Sequence, residues 1–196
     1  MSVVRDTARA IRMTLVLWVL TAIIYPLVMI VVGLLFPFQA NGSIVENLQG
    51  QPVGSALIGQ AFSSDRYFIS RPSTVGYSVG EDAAPTGVSG ASNLAPSNPE
   101  LLKRIQAEVD RLEQAGIQPT ADLVYTSGSG LDPHITVEAA LAQVNRVASA
   151  RGLSADQIIP LIEKYTNGRF LGIFGEPGVN VLNLNRALDV LQAPRQ

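Results

Sequence analysis

No cysteine occurs in the 196 residues. That excludes thiol nucleophiles, disulfides and cysteine-ligated metal centres. An extracytoplasmic domain of this size does not depend on disulfides, so the absence leaves the compartment open. Histidine is almost as scarce. His134 stands alone, and one copy of the chain therefore cannot assemble a multi-histidine metal site. Lysine never follows a glycine-rich loop in the P-loop manner, the third glycine of a dinucleotide fingerprint is missing, and there is no G-x-S-x-G elbow. No repeat is visible. Charged residues make up 15% of the chain, and none lies between Arg12 and Glu46.

That last gap contains what organises the chain. Residues 13–36 read MTLVLWVLTAIIYPLVMIVVGLLF. As a helix they would extend roughly 36 Å, against a hydrocarbon core about 30 Å thick, so the run can span a bilayer with some tilt. Thr14 and Thr21 can return their hydroxyls to the helix backbone, and a membrane helix tolerates Pro26 better than a soluble one does. Arg5, Arg9 and Arg12 precede the run against one acid, Asp6, and no base follows it before Arg66. By the positive-inside rule the N-terminus lies in the cytoplasm and everything from about residue 40 lies outside. A cleaved leader has an apolar region of roughly 7–15 residues and a small-x-small site. This run is longer and Phe38-Gln39-Ala40 is a poor site, so it reads as an uncleaved signal-anchor. The expected organisation is a cytoplasmic arm at 1–12, a transmembrane helix at 13–36, a linker and domain entry at 37–54, and an extracytoplasmic domain at 55–196. Asn41-Gly42-Ser43 matches a glycosylation acceptor but reads as linker composition.

Beyond the anchor there remain 11 of the 14 basic and 15 of the 16 acidic residues, a formal charge of −4. Nucleic acid and an anionic membrane surface are poor targets for such a domain. Strands are expected at 55–62, at 67–69, at 122–126, at 170–174 and at 179–182. Residues 74–98 read as a long loop, and loops of that length are often functional. Asn98 caps a helix with Pro99 at its first position, Leu101, Leu102, Ile105, Val109 and Leu112 on its buried face and Gly116 at its end. A second helix runs from Thr136 to Arg151 with Val137, Ala140, Leu141, Val144 and Ala148 inward, ended by Gly152. A third opens on a Ser154/Gln157 capping box and is bent by Pro160. A short helix at 184–191 closes the chain. Mixed strands and helices around one sheet make the domain α+β or α/β.

Two chemical readings arise between the strand expected at 122–126 and the helix that follows. Ser127-Gly128-Ser129-Gly130 invites a phosphate, since glycines admit close backbone approach and helix N-termini favour anions. Gly-Ser turns are also ordinary punctuation. Ser129, Asp132 and His134 contain the residue types of an acyl-transfer triad, but neighbours in sequence usually point apart. The competing expectation is that Asp132-Pro133 turns the chain and His134 holds the loop by a hydrogen bond.

Five motifs occur in order behind the span: Gly59-Gln60-x-Phe62; Tyr67-Phe68-x-x-Arg71-Pro72-Ser73; Ser89-Gly90-Ala91-Ser92-Asn93-Leu94; Ser127-Gly128-Ser129-Gly130-Leu131-Asp132-Pro133-His134-Ile135; and Gly175-Glu176-Pro177-x-Val179-Asn180-Val181-Leu182-x-Leu184-Asn185. Together they resemble the C subunit of the bacterial Kdp-type potassium-transporting P-type ATPase complex, the KdpC family, over residues 13–191. Val137 stands where that family often has proline, a departure that bears only on helix initiation. The resemblance implies a non-catalytic, single-span subunit of an inner-membrane potassium-uptake complex. Its partners would be a channel-like potassium-binding subunit and a P-type ATPase subunit that carries the catalytic aspartate. It implies a role in assembly and a proposed role as a catalytic chaperone that raises the affinity of the ATPase subunit for ATP, with Ser127, Gly128, Ser129 and Gly130 as the nucleotide loop. The arginine flank places the domain away from cytoplasmic ATP, so assembly and stabilisation are the favoured expectation. A membrane-anchored hydrolase using Ser129 and His134 is the alternative.

Overall fold

The computed structural model describes residues 2–78 and 88–192. The middle of the loop expected at 74–98, residues 79–87, lies outside the described residues, as do residue 1 and residues 193–196. The chain divides into two units, Met1–Ser43 and Ile44–Gln196.

In the first unit, helix α1 (Ser2–Val19) passes into a π turn (Leu20–Ile24), then α2 (Tyr25–Leu35) and a single turn, α3 (Pro37–Ala40). Residues Val3–Leu35 form a helix long and apolar enough to cross a membrane, with none of its most apolar window buried in protein. The helix begins well before the uncharged run, so Arg5, Arg9 and Arg12 are helical and Arg9 pairs with Asp6 at 3.3 Å. Pro26 accounts for the π turn. It has no N–H to offer, and its ring would strike the carbonyl one turn back in a regular helix. The chain widens there instead, and Tyr25 N–H donates to Leu20 O, five residues earlier. Thr21 Oγ1 donates to Leu17 O at 2.8 Å, the backbone return expected of it.

The second unit opens with an antiparallel hairpin, β1 (Ile44–Glu46) and β2 (Pro52–Ser55), whose turn is closed by Asn47 Oδ1 accepting from Gln49 N and Gln51 N. The strand expected at 55–62 is not formed. Ser55 turns the chain: its hydroxyl accepts from Leu57 N at 3.1 Å and its carbonyl from Ile58 N at 3.2 Å.

Helix α4 (Pro99–Gln114) is capped as expected, with Asn98 Oδ1 accepting from Glu100 N at 2.9 Å. It ends in a Schellman motif. Gly116, at φ 68°, donates to Glu113 O, Ile117 N donates to Leu112 O at 2.9 Å, and the Leu112 and Ile117 side chains are both buried. The strand expected at 122–126 is instead one helical turn, α5 (Ala121–Val124). Asp122, Leu123 and Val124 are all buried, an environment that a half-exposed strand cannot give to consecutive residues. Strand β3 (His134–Ile135) follows, then α6 (Val137–Arg151), capped by Thr136 Oγ1. In α6 the inward face is turned from expectation: Leu141 is exposed while Gln143, Val147 and Arg151 are buried. Helix α7 (Ala155–Lys164) carries the Ser154/Gln157 capping box, with Pro160 inside it. Strands β4 (Thr166–Asn167) and β5 (Gly178–Asn180) complete an antiparallel sheet ordered β3-β5-β4. Helix α8 (Val181–Leu191) starts earlier than expected because Asn180 Oδ1 accepts from Asn183 N, capping the helix and ending the strand at that residue. The antiparallel sheet makes the domain α+β.

The core lies between α4, α6, α7, α8 and the sheet, around Leu112, Leu123, Val147, Ile158, Ile162, Val179, Leu184 and Leu188. Each such side chain contributes about 1.5–3 kcal/mol by leaving water.

Residues 67–69, also expected as a strand, are not one, although Phe68 is wholly buried. Their backbone is paired by side-chain amides. Phe68 N donates to Asn185 Oδ1 at 2.8 Å and Phe68 O accepts from Asn185 Nδ2 at 2.9 Å. Ile69 is read in the same way by Gln143. From α6, Arg146 Nη2 donates to Tyr67 O at 2.8 Å and Arg151 Nε to Arg66 O at 2.5 Å.

Candidate functional site

The Ser-Gly loop is a knot between distant parts of the chain. Ser127 N donates to Pro72 O at 3.1 Å. Ser129 O accepts from Gly90 N at 2.9 Å and Ser89 Oγ at 3.0 Å. Gly130 O accepts from Ser73 Oγ at 2.6 Å. Within the loop, Gly130 N donates to Ser127 Oγ at 2.7 Å and Leu131 N to Ser129 Oγ at 3.1 Å. Gly130 has to be glycine: its φ is 67°, and a Cβ there would sit 2.6 Å from Val75 Cγ2 and 2.7 Å from Gly90 O. Gly128 is under no such constraint, with open space around it. Of the four loop residues, Gly128 and Ser129 have N–H groups with no partner among the described residues, so a ligand's acceptor would meet this loop there. The flanking element on the N-terminal side is the helical turn α5, and the loop is separated from α6 by β3 and the Thr136 cap, so no helix starts directly after it.

Next to the knot is a cavity of about 330 Å³ lined by Arg71, Asp122, Asp132, His134, Asn167 and Glu176, among others. Its polar groups are largely engaged with one another. Asp132 Oδ2 accepts from Arg71 Nη1 at 3.0 Å, and Asp132 Oδ1 accepts from His134 N at 3.0 Å with His134 Nδ1 at 3.8 Å. The other ring nitrogen of His134 lies 3.0 Å from Asn167 Nδ2 across the sheet. Asp122 accepts from Thr136 N at 2.6 Å and from Thr136 Oγ1 at 3.1 Å, fixing the start of α6. Tyr77 donates its hydroxyl to Arg71 O. Burial, and after it the charge of Asp132, pushes the Tyr77 pKa up to about 12, so it stays a neutral donor.

This arrangement ties loops together, and among the described residues neither Ser127 nor Ser129 shares a hydrogen bond with a histidine or a carboxylate. Ser129 and His134 find different partners, and among the described residues no hydrogen bond joins them. His134 ties its loop to β4, across the intervening β5, so it holds the loop by a hydrogen bond as the second sequence reading expected. Among the described residues, no group of three or more carboxylates and histidines is placed to hold a metal ion. Sequence reasoning missed the polar residues that clamp residues 65–69: Gln143, Arg146, Arg151 and Asn185. Their signal was slight, namely polar residues recurring on the otherwise apolar inward faces of two helices.

The structure is thus an α+β domain braced loop to loop, preceded in the chain by one helix long and apolar enough to cross a membrane. The family described as K+-transporting ATPase, c chain, matches residues 7–190. The chain belongs to this family, KdpC. It is 62% identical over 197 residues to the potassium-transporting ATPase KdpC subunit 2 of Nostoc sp., covering 100% of this chain and 99% of that protein. It is 62% identical over 187 residues to the KdpC subunit of Synechocystis sp., covering 95% and 98% respectively. The KdpC subunit of Rhodopseudomonas palustris is 45% identical over 195 residues, with 94% of this chain and 98% of that protein covered.

Proposed function

We propose that the chain is a non-catalytic accessory subunit of an ATP-driven potassium-uptake complex in the bacterial inner membrane. The observation that carries this reading is the match along nearly its whole length to relatives named as subunits of a potassium-transporting ATPase. Its partners are a channel-like potassium-binding subunit and a P-type ATPase subunit that carries the phosphorylated aspartate. The single span is held with Arg5, Arg9 and Arg12 in the cytoplasm. The domain then lies outside and rests on the outer face of the potassium-entry subunit. Its work is assembly and stabilisation, for which a rigid, cross-braced surface is suited.

Any effect of this subunit on ATP affinity travels through the complex as coupling between sites, since the domain and the nucleotide are on opposite sides of the bilayer. Ser127, Gly128, Ser129 and Gly130 act in this reading as a brace for the docking surface. Direct ATP contact, through the two unpaired amides of the loop, is the competing form of the same role. The hydrolase reading is set aside, because Ser129 and His134 do not meet.

Two measurements test the proposal. Extracted in mild detergent, the chain should co-purify with two larger membrane proteins, and an isolated monomer would sink the accessory role. Protease added outside spheroplasts should trim the domain. Protection there, with digestion from the cytoplasmic side, would reverse the orientation and restore direct contact with nucleotide.

A further inference from the structure

The segment between β4 and β5 folds back on itself as a small hairpin and places four large apolar side chains in solvent. Phe170, Leu171, Ile173 and Phe174 are 72%, 73%, 73% and 60% exposed. Leu171 and Gly172, at φ 52° and 74°, form its tight turn. Asparagine or glycine fits that left-handed position more easily than leucine does, so the side chain, and not the backbone, gives leucine its use there. The hairpin pairs four of its five N–H groups, those of residues 170 and 172–174, within itself. Phe170 N donates to Phe174 O at 2.8 Å, Gly172 N to Arg169 O at 3.0 Å, Ile173 N to Phe170 O at 3.2 Å and Phe174 N to Phe170 O at 3.0 Å. At its base Arg169 pairs with Glu176 at 3.3 Å, both well exposed.

We infer that this hairpin is a lipid-inserting wedge, which dips Phe170, Leu171, Ile173 and Phe174 into the interfacial layer of the bilayer that the N-terminal helix crosses. Three observations select lipid over a protein groove. A tip that enters the interfacial layer must carry few unpaired N–H groups, and this one pairs four of the five in residues 170–174, while the turn carbonyls can meet headgroup water. Its exposed area is on the order of 500 Å², below the roughly 800 Å² that each side of a stable protein interface contributes. The Arg169–Glu176 pair at the base matches the opposed charges of a zwitterionic headgroup layer, while the net charge of −4 beyond the anchor gives no attraction to anionic lipid. Reach is not an obstacle. The eight residues 36–43 between span and domain extend at most about 30 Å, and a domain of this size has a radius of gyration of about 15 Å. Tethering holds the wedge at high effective concentration beside the membrane, so a small apolar tip suffices. The inference rests on the span alone, whichever side the domain occupies.

The cysteine-free chain permits a direct test. The full chain carrying Ile173→Cys, labelled with nitrobenzoxadiazole, is reconstituted into phosphatidylcholine vesicles with and without lipids doxylated near the headgroup. Flotation with the vesicles establishes insertion of the span separately. The expected result is a blue-shifted emission that the doxyl lipids quench, both lost when Phe170→Ser and Phe174→Ser are added. Water-like emission from a chain that floats would overturn the inference. So would a blue shift that arises only when the other subunits are present and that doxyl lipids leave unquenched, for the tip would then be seated in protein.

Discussion

Two short stretches of the domain look alike in sequence and end in opposite environments. Residues 65–71, DRYFISR, and residues 169–174, RFLGIF, both set aromatic and aliphatic residues beside arginine, and both read as strands. Phe68 in the first is wholly buried, whereas Phe170 in the second is among the most exposed side chains of the domain. The difference lies in where the backbone finds partners. The first is received by Asn185 and Gln143, whose amides imitate a neighbouring strand for Phe68 and Ile69. The second bonds to itself and leaves the core. Apolar content made both candidates for burial, and the supply of partners for buried N–H and C=O groups decided between them.

The sharpest way to break the contrast is to remove a clamp. Asn185→Ala leaves the buried N–H and C=O of Phe68 without partners, and should destabilise the domain by roughly 3 kcal/mol, read as a lower midpoint in chemical denaturation of the detergent-solubilised chain. Alkaline pH should have a smaller effect on the same stretch. The hydroxyl of Tyr67 is held above its ordinary pKa of 10.0, first by burial and then by the charge of Asp189 and the hydrogen bond to it. The native state therefore keeps a proton that the unfolded chain releases, and stability should fall as pH rises past about 10. Tyr67→Phe should lessen that fall in a pH series of melting curves, leaving the part that Tyr77 contributes. The smallest effect belongs to the hairpin: Phe170→Ser with Phe174→Ser should change stability by under about 0.5 kcal/mol each, since neither ring packs in the core. A large loss there would mean that the two stretches are not the opposites described above.

The elements legible in the sequence were those set by local chemistry. Asn98, Thr136, Ser154 with Gln157, Gly116 and Gly152 mark helix ends through hydrogen bonds within a few residues, and the structure has those ends. Strand expectations failed where the deciding partner was distant. Nothing near residue 68 announces Asn185, and nothing near residue 122 announces that Asp122 would accept from Thr136. The candidate loop was partly legible. Its glycines signalled close approach, correctly for Gly130, but the approaching groups are Val75 and Gly90 of the protein itself. Family membership was readable because five motifs stand in order along the chain, some in loops and the last across the junction of β5 and α8.

The widened turn ahead of Pro26 has a consequence for any helix that lies against the span. An added residue in one turn advances every later side chain by about 100° around the axis. The stripe that faces a neighbour up to Val19 is therefore not continued by counting in threes and fours beyond Tyr25, but resumes out of phase. A scan of substitutions along this helix should find two runs of sensitive positions with a slip between them, and the slip would mark where one neighbouring surface gives way to another.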